Sequence, residues 1–385
     1  MKPATLEFLK QRFTDYYKTS YISVPSSLEQ REWGFIFFDT SSDVRMRRHM
    51  AFSDPRELAD YLKNMVPAHV YYSTAYYSTP SAPTMNDKVW TGADLIFDLD
   101  ADHIMRGPYT EMLARVKEET EKLIAMLTDE LGFSPRDLAV VFSGGRGYHI
   151  HIQSLAVRGW GSQERREIID YVCGTGIDPA VMLTQSDAAP AGWRQRYLDA
   201  LREHLLWLKS LPEEEGIHTL TGIKGVGKRG AADAAAFLAE IDDLARDLEE
   251  YRTRTLLGSR MVKAIVTEEG SAFEQRLREK GAHADEPVTT DIKRLIRMPG
   301  SLHGGSGMRV VPLSAGELAG FEPLEDAVVF GDRSVKVDMK MAITTAMNGN
   351  TYQLQKGTNT VPEALAVFVC CRGMAEIAGE KADGS

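Results

Sequence analysis

The chain has 385 residues, 43% of them hydrophobic and 26% charged, which excludes a wholly disordered protein and leaves room for more than one domain. A net charge of −10 excludes a basic protein that coats nucleic acid through its total charge, while local patches can still bind it. Cys173, Cys370 and Cys371 are the only cysteines, too few for a disulfide framework and in keeping with a reducing, cytoplasmic setting.

Residues 6–17 have helical spacing, and the segment before them lacks the continuous apolar run of a secretion signal. WGFIFF at 33–38 reads as a short buried strand ahead of a turn at Asp39-Thr40-Ser41-Ser42. Arg45, Arg47, Arg48 and His49 then form a basic run, either a solvated face or a patch turned toward a polyanion. Residues 55–65 are a helix capped by Ser53 or Asp54, with Pro55 in its first turn. Three strand-like stretches come next, at 70–77, at 93–100, and at 138–142 followed by 148–153. Tyr71, Tyr72, Tyr76 and Tyr77 in the first are expected mostly to pack within the fold rather than to stack on bases. Between the second and third, 109–131 reads as a long helix with apolar Leu113, Val116, Leu123, Ile124 and Leu127.

From about residue 161 the character becomes helical, at 165–171, 193–211 and 231–257, with Gly/Pro breaks at 174–179, 190–192 and 222–230. The last break, Gly222-Ile223-Lys224-Gly225-Val226-Gly227-Lys228-Arg229, nearly fits a phosphate loop. Arg229 stands where Ser or Thr would hold the metal, however, and no apolar strand precedes it. It reads as a helix-connecting loop or as a hairpin whose amides touch DNA phosphates. Strand character returns at 308–313 and 327–330, and a last helix at 362–378 precedes a polar tail. The longest apolar stretch, 365–371, is too short to cross a bilayer, so no membrane association is expected.

The sharpest chemical signal is DLIFDLDADH at 94–103. Alternate residues of a strand share a face, so Asp98 and Asp100 project together with Cα atoms roughly 7 Å apart. Two carboxylates at the end of an apolar strand repel each other and lose hydration, and a hard divalent cation, Mg²⁺ or Mn²⁺, relieves both. SGGRGYH at 143–149 joins two strands through three glycines, so that backbone N–H groups, Ser143 and Arg146 can close on an anion. His149 and His151 share a strand face but lack nearby partners for zinc, so polar contacts are expected instead. Downstream, DEPVTTD at 285–291 and KRLIRMPGSLHG at 293–304 supply another acid, a basic cluster and His303 in a Gly-rich loop. Arg297 and His303 are suited to a triphosphate tail.

Taken together, DLIFDLDADH, SGGRGYHIH, DIKRLIRMPGSLHGGSG, YYSTAYYSTP at 71–80 and MNDKVWTGAD at 85–94 resemble the archaeo-eukaryotic primase family, specifically its archaeal small subunit, in order from about Trp33 to Leu313. The resemblance implies an α/β fold, a primase-type catalytic core with an inserted, mostly helical subdomain. We place the core at 1–155 and 270–345, the insertion at 156–269, and a C-terminal helix and tail at 346–385. It implies that Asp98, Asp100 and Asp285 are the catalytic, metal-holding carboxylates, with Asp291 as the rival for the third. Ser143, Arg146, Arg297 and His303 would surround the incoming nucleotide. Many relatives carry a Cys/His zinc knob after the acidic strand, but here His103-Ile104-Met105-Arg106-Gly107-Pro108 stands there, so no zinc site is expected. Gly305 also replaces a Lys found in some relatives. The implied activity is two-metal phosphoryl transfer that makes primers on a single-stranded DNA template from nucleoside triphosphates, with a large subunit as partner. The same carboxylates would serve a metal-dependent nuclease, and a non-catalytic single-strand binding module is the reading without chemistry.

Overall fold

The computed structural model describes residues 1–39, 45–186, 188–227 and 230–378. The turn read at 39–42 therefore lies outside them beyond Asp39, as do Lys228 and Arg229 of the Gly-rich break. The chain divides into two compact units. One holds the described residues of Met1–Ile124, Gly132–Arg166 and His283–Ser385, and the other those of Ala125–Leu131 and Glu167–Ala282.

In the first unit, β1 (Trp33–Ile36) lies between β2 (Met46–Met50) and β3 (His69–Ser73), and Trp33, Phe35 and Tyr72 are buried. The stretch read as one strand at 70–77 is two. Arg31 donates to the Ser73 and Thr74 carbonyls and Ser73 Oγ donates to that of Ala75, which turns the backbone into β4 (Ala75–Tyr77). Among the described residues β4 pairs only with β5 (Trp90–Ala93). β6 (Leu95–Asp100) carries Leu95, Phe97 and Leu99 fully buried on one face, as the period-2 alternation requires. β7 (Leu138–Phe142) and β8 (Gly147–Ile152) form the hairpin expected around the Gly-rich segment. β9 (Leu295–Arg297) was not legible as a strand, because three residues with a terminal Arg carry no period. It is held by pairing with β3, where Tyr71 faces Arg297. β10 (Val311–Leu313) closes the second sheet, and the two sheet orders are β2-β1-β3-β9 and β10-β7-β8-β6. Residues 327–330, expected as a strand, are irregular.

The C-terminal part departs most from expectation. β11 (Ser334–Met339), β12 (Ile343–Met347), β13 (Asn350–Leu354) and β14 (Gly357–Pro362) occupy a stretch where no strand had been read. The last helix is Glu363–Cys371, not 362–378. It stops because Gly373 takes a left-handed φ of 69°, a conformation glycine supplies at a helix end. The chain then turns into β15 (Ala375–Ile377), which pairs with β11. Residues from 346 onward are thus built into the first unit.

The second unit is helical, built chiefly on Gly192–Ser210, Glu213–Gly222 and Ala231–Glu249. Leu201, Leu205 and Leu208, spaced along one face, pack with Leu220 and Ile241 in its core. The expected borders, 156 and 269, differ from the observed ones for physical reasons. Arg165 donates to the carbonyls of Ala93 and Asp94, binding its segment to the first unit. Ala282 N–H donates to the Val172 carbonyl, which carries the second unit on past 269. Among the described residues no helix is long and apolar enough to cross a membrane.

Candidate active site

The alternation that buries Leu95, Phe97 and Leu99 sends Asp98 and Asp100 to the opposite face of β6. Across the ladder Asp98 faces His149 and Asp100 faces Gly147. Glycine leaves the space over Asp100 open, and any Cβ at 147 would lie 2.3 Å from the Leu99 carbonyl oxygen. His149 Nε2 stands 3.4 Å from Asp98 Oδ1. Burial, with the charges of His151, Arg297 and Arg294, holds His149 well below the usual imidazole range, so the ring is neutral at pH 7. His151 approaches the Tyr72 hydroxyl at 3.4 Å.

Asp98 carries the electrostatic strain of the site. Burial first, then the carboxylates of Asp100 and Asp285, push its pKa up to about 7, against the opposing charges of Arg294 and Arg297. Asp285 reaches this point from far along the chain because its N–H donates to the Asp98 carbonyl at 2.8 Å. Asp291 instead accepts from the N–H of Lys293 at 2.9 Å.

The hairpin turn is closed by Ser143, whose N–H donates to the Gly147 carbonyl and whose Oγ accepts from the Gly145 N–H. Gly144 has φ 76° and a Cβ there would strike His303 Cβ at 2.7 Å, so the 303 loop lies directly on the hairpin. His303 Nδ1 accepts from the Gly305 N–H at 3.2 Å, which leaves Nε2 as the protonated nitrogen. Burial, then Arg297, His69, Arg146 and Arg372, keep this ring neutral. Arg297 donates to His69 Nδ1 at 2.7 Å and lies over the Tyr71 ring, its guanidinium 5.1 Å from the centroid. The Gly304 N–H also donates to His69 Nδ1, so His69 ties β9 to the 303 loop. Arg146 pairs with Asp102.

These elements enclose a cleft of about 580 Å³ whose lining includes Asp98, Asp100, Ser143, Arg146, Arg297 and His303. Six of the seven residues expected from sequence thus line one cavity, and the seventh, Asp285, acts on Asp98 from beside it. The lining also contains Tyr71, Arg294 and Arg372, which sequence reasoning had not assigned. Arg294 stood within the basic cluster and could have been taken with Arg297. His69 and Arg372 gave no local signal, since only tertiary packing brings them here. Of the tyrosines, Tyr72, Tyr76 and Tyr77 are buried as expected, while Tyr71 faces the cleft. The basic run on β2 is largely engaged: Arg48 and His49 turn to the buried Glu32, and Arg47 lies over Phe37.

Among the described residues no three His, Cys, Asp or Glu side chains form a ready-made metal cluster. The Asp98–Asp100 pair is an oxygen-only donor set whose repulsion Arg294 and Arg297 offset only in part. It suits a hard divalent ion that takes its remaining ligands from water and phosphate.

The family model described as DNA primase small subunit matches residues 97–315 of this chain. The DNA primase small subunit PriS of Methanosphaerula palustris is 57% identical over 378 residues, covering 98% of this chain and 99% of that protein. The protein of the same name from Methanoregula boonei is 56% identical over 379 residues, covering 98% and 100%. That of Methanocorpusculum labreanum is 53% identical over 384 residues, with the same coverage.

Proposed function

The chain belongs to the DNA primase small subunit family, and from that membership we propose that it is a nucleotidyltransferase making short primers on single-stranded DNA for replication, with the Asp98–Asp100 cleft as its active site. One observation carries the assignment: a repelling carboxylate pair and a wall of Arg146, Arg294, Arg297 and His303 share one cavity. In this reading Asp98 and Asp100, with Asp285 beside them, hold Mg²⁺ or Mn²⁺. A divalent cation bound there supplies neutralisation of phosphate charge and a lowered pKa for an attacking hydroxyl. Arg146 and Arg297 bind the triphosphate of the incoming nucleotide, and the neutral His303 donates from Nε2 to a phosphate oxygen. His69 positions Arg297 and the 303 loop relative to each other. Ser143 keeps the hairpin closed so that its backbone approaches the phosphates.

The relatives' name, small subunit, supports assembly with a larger subunit. A hydrolytic nuclease would use the same carboxylates but leaves the cationic wall without work. A binding module without chemistry leaves the repelling pair unexplained.

The test is template-directed incorporation of labelled nucleotides by the purified chain on single-stranded DNA. We expect activity with Mg²⁺ or Mn²⁺ that chelation abolishes. Cleavage of the template with no incorporation would move the assignment to the nuclease.

A further inference from the structure

Arg372 follows the helix Glu363–Cys371 and lies outside residues 97–315, the stretch matched by the family model. It nevertheless lines the same cleft as Asp98, Arg146 and His303. Its guanidinium sits 4.4 Å from the centroid of Tyr109 and 5.3 Å from that of Phe368. These two rings meet edge to face at 5.5 Å. Tyr109 is itself fixed to the Gly-rich hairpin, since its hydroxyl donates to the Gly145 carbonyl at 2.5 Å. A path of contacts therefore runs from the hairpin through Tyr109 to Arg372.

Most other cations of the region are engaged by polar groups, Arg294 being the exception among the described residues that line the cleft. Arg146 pairs with Asp102, Arg297 donates to His69, and Arg12 and Arg333 share Glu363. Among the described residues Arg372 has neither an ion pair nor a hydrogen bond from its side chain, only the two ring faces. Stacking holds a guanidinium plane in place and leaves its N–H edge free to donate. A planar donor edge, held without an acid in a cleft that already contains a carboxylate pair, is suited to the oxygens of a polyanion.

We propose that Arg372 is a further nucleotide-binding residue, contacting the polyphosphate of the incoming nucleotide from the C-terminal helix. The proposal rests on the reading of the cleft as a nucleotide site. It makes the last segment of the chain part of that site, with Tyr109 as the platform that sets its position.

The decisive probe is inorganic tripolyphosphate, titrated by calorimetry so that no turnover is needed. Arg372→Gln should weaken it about tenfold, the loss typical of one charge-assisted hydrogen bond, and Arg372→Lys, which keeps the charge but not the stacked planar edge, should recover only part of that loss. In the incorporation assay Arg372→Gln should raise the apparent nucleotide KM more than it lowers kcat, with single-stranded DNA affinity by anisotropy nearly unchanged. In the unmodified chain, tripolyphosphate should protect Arg372 from an arginine-directed dicarbonyl, read by peptide mass spectrometry. That arm stands even where a variant fails to fold.

Unchanged tripolyphosphate binding in Arg372→Gln, an unprotected Arg372, or a loss confined to DNA affinity would each overturn the proposal. A chain that incorporates no nucleotide yet loses tripolyphosphate in Arg372→Gln would sink the primase reading while the anion contact stood. Normal incorporation with an indifferent Arg372 would do the reverse.

Discussion

Asp94, Asp98, Asp100 and Asp102 lie in one ten-residue segment, and their surroundings give them different work. Asp94 is buried against Arg31 at 2.9 Å and accepts from the Tyr76 hydroxyl at 2.6 Å, so it is a packing acid. Asp102 is exposed and paired with Arg146. Only Asp98 and Asp100 face the cleft, with Asp98 protonated more readily than an ordinary carboxyl. Its folded pKa, about 7, lies above its unfolded value, so the native state holds the extra proton between about pH 4 and 7 and stability falls as pH rises through that window. Asp98→Asn should therefore raise the stability of metal-free protein at pH 8, on the order of 2 kcal/mol, and leave it nearly unchanged below pH 4. Chemical denaturation with chelator at the two pH values checks this. The same variant, and Asp100→Asn, should lose incorporation by a factor of about a hundred or more. Arg146→Ala and His303→Ala should weaken apparent nucleotide affinity about ten- to a hundredfold, with single-stranded DNA affinity at fixed salt changing much less. Paired titrations of nucleotide and DNA decide it, and a collapse of DNA binding alone would place these residues in the template groove.

At the level of elements, the site depends on the separation of β6 and β8. Gly147 is the residue opposite Asp100, and a methyl group there would drive into the Leu99 backbone, which has no flexible end to yield. Gly147→Ala should thus cost about 1–3 kcal/mol and displace the carboxylate pair. A lowered Tm together with lost incorporation is expected, and a variant with wild-type Tm and activity would show that the strands part without consequence. The contrast with Asp98→Asn is informative, since that change should remove activity without lowering stability.

For the whole molecule, long-range polar contacts hold the first unit together across the inserted segment. Glu119 on the helix Tyr109–Ala125 is fully buried, accepts from Lys122 at 2.8 Å and lies 3.0 Å from His283 Nδ1, where the chain re-enters that unit. Burial pushes its pKa up, but hydrogen bonds from His283 and Lys122 more than offset this and hold it down to about 2. A depressed carboxyl contributes stability above its unfolded pKa, and that contribution is lost as pH falls from about 4.5 toward 2. Glu119→Gln should cost about 3 kcal/mol at pH 7 and flatten the acid limb of the stability profile. Urea titrations across pH 2–7 measure both. Purified protein should also lack stoichiometric zinc by elemental analysis, and one zinc per chain would mean that distant ligands meet.

How much of this was legible in sequence differs between strand and cleft. Local period placed Asp98 and Asp100 on one face, because alternation is a property of the backbone itself. The hairpin at 143–147 was legible because glycines mark where the chain must turn tightly. Resemblance added the order of the motifs and the partners of the acid pair. Of the strands in 334–362, β11 did carry a signal, Val335, Val337 and Met339 alternating with polar residues, and it could have been found. β12 and β13 are largely exposed and mixed in character, and β9 has too few residues to hold a period. The convergence of His69 and Arg372 with the hairpin belongs to the tertiary structure alone. Those contacts join residues far apart in the chain, and what selects them is packing and charge in three dimensions, which no local pattern records.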